Sequence, residues 1–297
     1  MIKWIQLILI ISLGLMLLSC PLSAPPDTSF AVMTFNVRIN LPSDGDNAWP
    51  HRKEMATSMI RFYEPEVFGV QEALKRQVKD MSERHPDYAW IGVGRDDGKQ
   101  AGEYMAIFYL KHRFKLLKTD TFWLSENPQQ SGLGWDAAYN RVVTWGQFQD
   151  LETGNTFFHF NTHFDNRGEV ARQESAKLLL TQVQAIAGNS ALIVTGDFNT
   201  HPDSEPYRIL TGSDLLTDAK TITQIPHHGP SRTFNGFALE SLRTIDEPID
   251  YIFVSNQFGV LKHATLSDTF NGYFPSDHMP VMAQVTIEAK GSPGETN

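Results

Sequence analysis

Apolar and polar positions along this chain fall into two periods. Runs at 30–37, 67–70, 89–92, 104–110, 142–149, 156–162, 191–195, 249–254 and 280–287 are mostly β-branched or aromatic and bounded by Gly, Pro or Asp, the pattern of strands. Between some of them, 52–63, 74–84 and 169–187 carry apolar residues at three- and four-residue spacing, with Pro65 and Gly188 placed to stop helices. Helices interspersed among hairpins in this ratio predict an α/β class and a layered sandwich, with sheets in the middle and helices outside.

The amino terminus has a different pattern. Residues 1–19 carry one charge, Lys3, and then an apolar run too short to span a bilayer comfortably, which reads as a secretory signal. Leu17-Leu18-Ser19-Cys20 resembles the bacterial lipoprotein box, in which cleavage before the cysteine leaves it as an acylated terminus. Residues 20–29, with Pro21, Pro25 and Pro26, then form a short lipid-anchored tether, 30–290 one domain without linker or repeat, and 291–297 a flexible tail. The expectation is a monomer outside the cytoplasm, periplasmic or at the cell surface, held to a membrane by lipid on Cys20.

Composition narrows the chemistry. With 41% hydrophobic and 20% charged residues in 297, the chain can bury a sizeable core. Twenty-five basic against 34 acidic residues leave a net charge of −9, so no global positive field gathers polyanions. A dedicated duplex binder is disfavoured, and a nuclease is not excluded. The single cysteine rules out an intrachain disulfide and any CxxC zinc site.

Polar residues concentrate at strand ends. The apolar run from Ala191 stops at Gly196 and continues Asp197-Phe198-Asn199, which puts a carboxylate and a carboxamide on one side of a strand or into a turn. Along 156–165, His159, Asn161, His163 and Asp165 share one face and Phe158, Phe160, Thr162 and Phe164 the other. Zinc on His163 and Asp165 is geometrically allowed, but no third ligand is obvious nearby. Asp250 heads an apolar strand and His278 sits in a loop before the last one; an acid that takes the Nδ1 proton of an imidazole fixes its tautomer, so an Asp250–His278 pair is a reasonable pairing. Glu72, after the strand at 67–70, and Asn36, in the first strand, offer oxygen to a hard divalent cation.

Asn36, Gln71-Glu72, Asn161-Thr162-His163, Gly196-Asp197-Phe198-Asn199, Asp250-Tyr251-Ile252 and Ser276-Asp277-His278 together resemble, in order and type, the endonuclease/exonuclease/phosphatase superfamily across roughly 30–287. The resemblance implies a four-layer α/β sandwich, two central mixed sheets packed face to face, and Mg²⁺- or Mn²⁺-dependent hydrolysis of a phosphoester. It implies Glu72, Asn36 and Asp277 as metal residues, Asp197 and Asn199 at the attacking water, His163 and His278 flanking the phosphate, Asp250 orienting His278, and Glu103 supporting His163. Arg141 and Arg95 are the implied substrate contacts; Arg95 lies in a glycine-rich loop, 92–103, that otherwise reads as a flexible hairpin connection. Members of the superfamily act on DNA, RNA tails, inositol phosphates and sphingomyelin, so three readings stand: a phosphodiesterase or phosphatase on a small or lipid-linked phosphoester, a secreted nuclease, and a catalytically inactive binding lipoprotein.

Overall fold

Alternation along each strand sorts side chains into layers. The computed structural model describes residues 28–243 and 247–287; the expected signal, Cys20 and the tail lie outside the described residues. One six-stranded sheet runs β13 (Phe258–Thr265), β14 (Val281–Ile287), β1 (Ser29–Asn36), β2 (Val67–Gln71), β6 (Ile107–Leu110), β4 (Tyr88–Ile91). The other runs β11 (Thr217–Asp218), β12 (Asp250–Val254), β10 (Ala191–Asp197), β9 (Thr156–His163), β8 (Val142–Asp150), β7 (Phe114–Trp123). Both are mixed: β1 pairs with β2 and β9 with β10 in parallel, the remaining neighbours antiparallel. A two-stranded ribbon of β3 (Ala73–Leu74) and β5 (Glu103–Tyr104) stands apart.

Phe30, Val32, Val67, Phe157, Ile193, Ile252 and Val285 point into one core between the sheets. The alternate residues Met33, Phe35, Phe68 and Val70 meet α1 (Trp49–Tyr63) and α2 (Lys75–Arg84) on one outer face. Phe158, Phe160, Leu192, Val194 and Phe253 meet α3 (Glu169–Ala187) and α4 (Glu205–Thr211) on the other. Helix, sheet, sheet and helix make the expected four-layer sandwich. No described helix is long and apolar enough to cross a membrane.

Differences from the sequence reading have local causes. The run 104–110 breaks into β5 and β6, because Tyr104 pairs with Ala73 in the ribbon whereas Ile107 pairs with Gly69 in the main sheet. The edge strands β7 and β13 were not expected: one outer partner is solvent, so Lys115, Lys118, Asp120 and Lys262 interrupt their apolar pattern.

Candidate active site

The inward rows change character along their length. From one end to the other they read Phe30, Val32, Thr34, Asn36 on β1; Phe157, His159, Asn161, His163 on β9; Ala191, Ile193, Thr195, Asp197 on β10; and Val254, Ile252, Asp250 on the antiparallel β12. Register aligns the polar ends, with Asp197 opposite both His163 and Asp250. The inter-sheet layer is thus oily at one end and functional at the other. Between lies a polar seam that fixes one sheet against the other. Gln71 Nε2 donates to Thr34 Oγ1 (3.0 Å) and Asn161 Oδ1 (2.7 Å), and Asn161 Nδ2 donates to the carbonyls of Val70 (2.9 Å) and Ala106 (3.0 Å). Gly69 leaves room for this seam, since a Cβ there would lie 2.3 Å from Asn161 Oδ1.

At the polar end, one oxygen of each of Glu72 and Asp197 and a ring nitrogen of His278 lie within 4.8 Å of one another. Asn36 Nδ2 donates to Glu72 Oε1 (3.1 Å) and to Asp197 Oδ2 (3.0 Å), clamping the two carboxylates. Asp197 Oδ2 stands between two imidazoles, 3.3 Å from His163 Nε2 and 3.7 Å from His278 Nε2. His278 Nδ1 donates to Asp250 Oδ2 at 2.9 Å. Arg38, Glu72 and Asn199, around the same cleft, hold left-handed φ values of 56°, 63° and 48°, strain kept only where surrounding contacts enforce it.

The two histidines are driven apart electrostatically. Burial disfavours the charged form of His278, but the carboxylates of Asp250 and Asp197 outweigh it and raise its pKa well above the usual value. Burial, with Arg141 and Arg95 nearby, drives that of His163 well below. Near neutrality the cleft therefore pairs an imidazolium with a neutral imidazole. Burial, reinforced by the Asp250 charge, pushes the Asp197 carboxyl up to about 7. Burial alone would raise Glu72, yet His278, the Ile39 N–H and Asn36 together lower it. Groups whose environments separate their proton affinities in this way mark acid–base sites.

The sequence profile of the endonuclease/exonuclease/phosphatase family matches residues 33–278. The chain belongs to this family. Family members are hydrolases acting on phosphoesters. A family structure from Bacteroides vulgatus is similar at 38% identity and a TM-score of 0.84, covering 88% of this chain and 100% of that one. A mannosyl-6-phosphatase from Bacteroides thetaiotaomicron is similar at 35% identity and a TM-score of 0.82, covering 87% and 100%. Nocturnin of Xenopus laevis is 24% identical over 309 residues, 89% of this chain and 74% of that protein.

Against the family pattern, most of the expected residues converge. His163, Asp197, Asn199, His278, Glu72, Asp277, Glu103, Arg95 and Arg141 line one cleft of about 930 Å³, with Asn36 and Asp250 directly behind it. One expectation needs correction. Glu103 does not hold His163: its Oε2 accepts from Arg95 Nη1 at 2.7 Å, while His163 Nδ1 is buried without a hydrogen-bond partner and Asn199 Nδ2 meets Nε2 at 3.0 Å. Asn36, expected at the metal, lies against both carboxylates, with its Oδ1 accepting from the Arg38 N–H at 3.0 Å. Asp277, expected near a second metal, lines the same cleft and faces Arg38 Nη1 at 3.7 Å. Asp165 accepts from the N–H groups of Arg167 (2.9 Å) and Gly168 (2.8 Å) and from Arg141 Nε (3.3 Å).

The sequence reading missed Arg38, Tyr139 and Phe234, which also line the cleft. Arg38, two residues past Asn36 on the same strand exit, was the accessible one. Phe234 lies in an irregular loop whose sequence, Arg232-Thr233-Phe234-Asn235-Gly236, carries no periodicity.

Proposed function

We propose that this protein hydrolyses a small phosphoester with the help of Mg²⁺ or Mn²⁺, outside the cytoplasm and tethered by lipid on Cys20. The observation that carries the hydrolytic reading is the Glu72–Asp197–His278 group within 4.8 Å, flanked by the neutral His163. Its donor set suits a hard divalent cation, since one or two carboxylates bound through oxygen are what Mg²⁺ typically takes while keeping waters. Glu72 would hold the ion, with Asp197 beside it as the base. When bound, it supplies positive charge to the phosphoryl oxygens and leaving group and lowers the pKa of a bound water.

The chain's own groups supply the rest. Asp197 takes a proton from the attacking water, and Asn199, whose N–H donates to Asp197 Oδ1 at 3.0 Å, keeps that carboxylate in place. The His278 imidazolium, held by Asp250, donates to a phosphoryl or leaving oxygen, and His163 lies across from it. Arg141 is 3% exposed and its Nη1 has no hydrogen-bond partner, so it is available to clamp a phosphoryl oxygen.

A small substrate is favoured over a nucleic acid because Asp96 and Glu103 accompany the arginines of the cleft and the net charge is −9. The 35% identity to a mannosyl-6-phosphatase supports a phosphomonoester of a sugar as the first class to try. The test is a metal-supplemented screen of the purified protein against hexose phosphates, alkyl phosphates, sphingomyelin, RNA and DNA. Turnover of a small phosphoester is expected. Activity confined to nucleic acid and falling steeply with salt would contradict the substrate reading, and silence on all five the hydrolytic one.

A further inference from the structure

The cleft, about 930 Å³, exceeds what one phosphoryl group fills, and its surplus is not uniformly lined. Toward His163 the wall is the 92–103 loop, which is a fixed turn rather than a flexible connection. The Gly94 N–H donates to Lys99 O (3.1 Å), the Arg95 N–H to Glu103 O (3.0 Å) and the Asp96 N–H to Ala101 O (3.1 Å), while Trp123 Nε1 donates to Arg95 O (2.7 Å). No side chain fits at Gly94, where a Cβ would lie 2.2 Å from Ala101 O.

This frame presents one side-chain pair. Arg95, 6% exposed, donates through Nη1 to Glu103 Oε2 (2.7 Å), and its guanidinium lies 5.2 Å from the Tyr139 ring centroid. Its Nε is buried in the cleft wall without a hydrogen-bond partner among the described residues, an arrangement that normally signals a missing acceptor. A second anion is a poor candidate for that acceptor, because Glu103 and Asp96, the latter 3.9 Å from Nε, already offset the Arg95 charge. A hydroxyl suits it better: it accepts from the guanidinium N–H and donates its own proton to the neighbouring carboxylate. On the His278 side the wall offers an aromatic face. Phe234 is 43% exposed, with its ring 5.1 Å from that of His278, and Ile39, Leu41 and Ile249 also line the cleft. An aromatic face at one wall and a hydroxyl-binding pair at the other match a polyhydroxylated ring, which has C–H faces and an equatorial belt of hydroxyls.

We propose that Arg95 and Glu103 read hydroxyls of the substrate's leaving group while Phe234 packs against its ring, making the enzyme selective for phosphate esters of cyclic polyols. This rests on the phosphoesterase reading above and adds the residues that set specificity. The experiment compares mannose 6-phosphate with cyclohexylmethyl phosphate, which keeps the six-membered ring and primary ester and lacks the hydroxyls. The readout is the ratio of their kcat/KM values, which is independent of the fraction of folded protein. Loss of a hydrogen bond to a substrate hydroxyl in a site built for it lowers discrimination by at least ~10-fold. That drop is expected in Arg95→Met and in Glu103→Gln, with partial recovery in Arg95→Lys. Phe234→Ala is expected to lower kcat/KM for both ring substrates relative to ethyl phosphate. A ratio unchanged in Arg95→Met would overturn the proposal. So would a wild-type preference for a hexose bisphosphate that Arg95→Met abolishes, which would make Arg95 an anion reader. Failure of the wild type on every phosphoester in the presence of metal would instead remove the underlying hydrolytic reading, so the two failures are distinguishable.

Discussion

His163, Asp197 and His278 line the cleft, and each is nine-tenths or more buried. Removing one preorganised donor costs about 2.7–4 kcal/mol in the transition state, and removing a general base about 10²–10⁴-fold in rate. His163→Ala, Asp197→Ala and His278→Ala are therefore each expected to lower kcat by at least ~100-fold, with circular dichroism showing the fold retained; near-wild-type turnover in Asp197→Ala would defeat the mechanism. His159, four residues before His163 on the same strand, has a structural role. Its Nε2 meets Thr195 Oγ1 at 2.8 Å between the sheets, and burial lowers its pKa to about 3. The folded state thus resists a proton that the unfolded chain accepts below about 6.5, so stability contributed by the neutral ring is present above that pH and lost on acidification toward 3. His159→Gln removes this linkage. Relative to wild type, the variant is expected to gain about 1.4 kcal/mol per pH unit between pH 6.5 and 4.5 in urea unfolding, other groups cancelling in the comparison. An equal difference at both pH values would refute it.

At the scale of elements, the helix α1 does more than cover a sheet. Arg52, fully buried, donates to the carbonyls of Val37, Arg38 (2.8 Å), Asn47 (2.7 Å) and Pro275 (3.0 Å), tying the exit of β1 to the loop that carries Asp277 and His278. Arg52→Met leaves these buried acceptors unpaired. A loss of about 2–4 kcal/mol by urea unfolding is expected, with lowered kcat as His278 shifts; an unchanged midpoint would refute this role. That role was invisible in the sequence, where Arg52 merely opens an amphipathic stretch and its acceptor at Pro275 is 223 residues away. Strands buried on both faces were legible because their apolar runs stop abruptly at polar residues, as at Thr195-Gly196-Asp197. The same signal located Asp250 and His163. Glu103 was placed in the right cleft but on the wrong partner, because only three-dimensional packing shows that Arg95 takes its carboxylate. Phe234 was missed because loops carry no period from which to read a direction.

For the whole molecule, the parity of four strands, β1, β9, β10 and β12, delivers Asn36, His163, Asp197 and Asp250 to one end of the inter-sheet layer. The sandwich is thus a scaffold whose two sheets must stay in register for the cleft to exist, which is the service of the Gln71–Asn161–Thr195 seam. Placement of this domain at a membrane is a separate proposal, carried by residues 17–20 alone. Expressed in a bacterial host that processes lipoproteins, Cys20→Ser is expected to move the protein from the detergent phase to the aqueous phase of a Triton X-114 partition, and an unchanged partition would refute lipid anchoring.

The central claim is that Glu72, Asp197 and His278 form a cation-bearing phosphoester pocket. Its most direct test is the turnover of chelator-stripped protein on its best phosphoester as Mg²⁺ or Mn²⁺ is added back, measured beside Glu72→Gln. The account predicts negligible turnover without metal, recovery in the wild type, and at least ~10-fold more metal for half-recovery in Glu72→Gln, the range seen when a metal site is weakened. Full turnover in excess chelator, or an identical metal requirement in the two proteins, would contradict it.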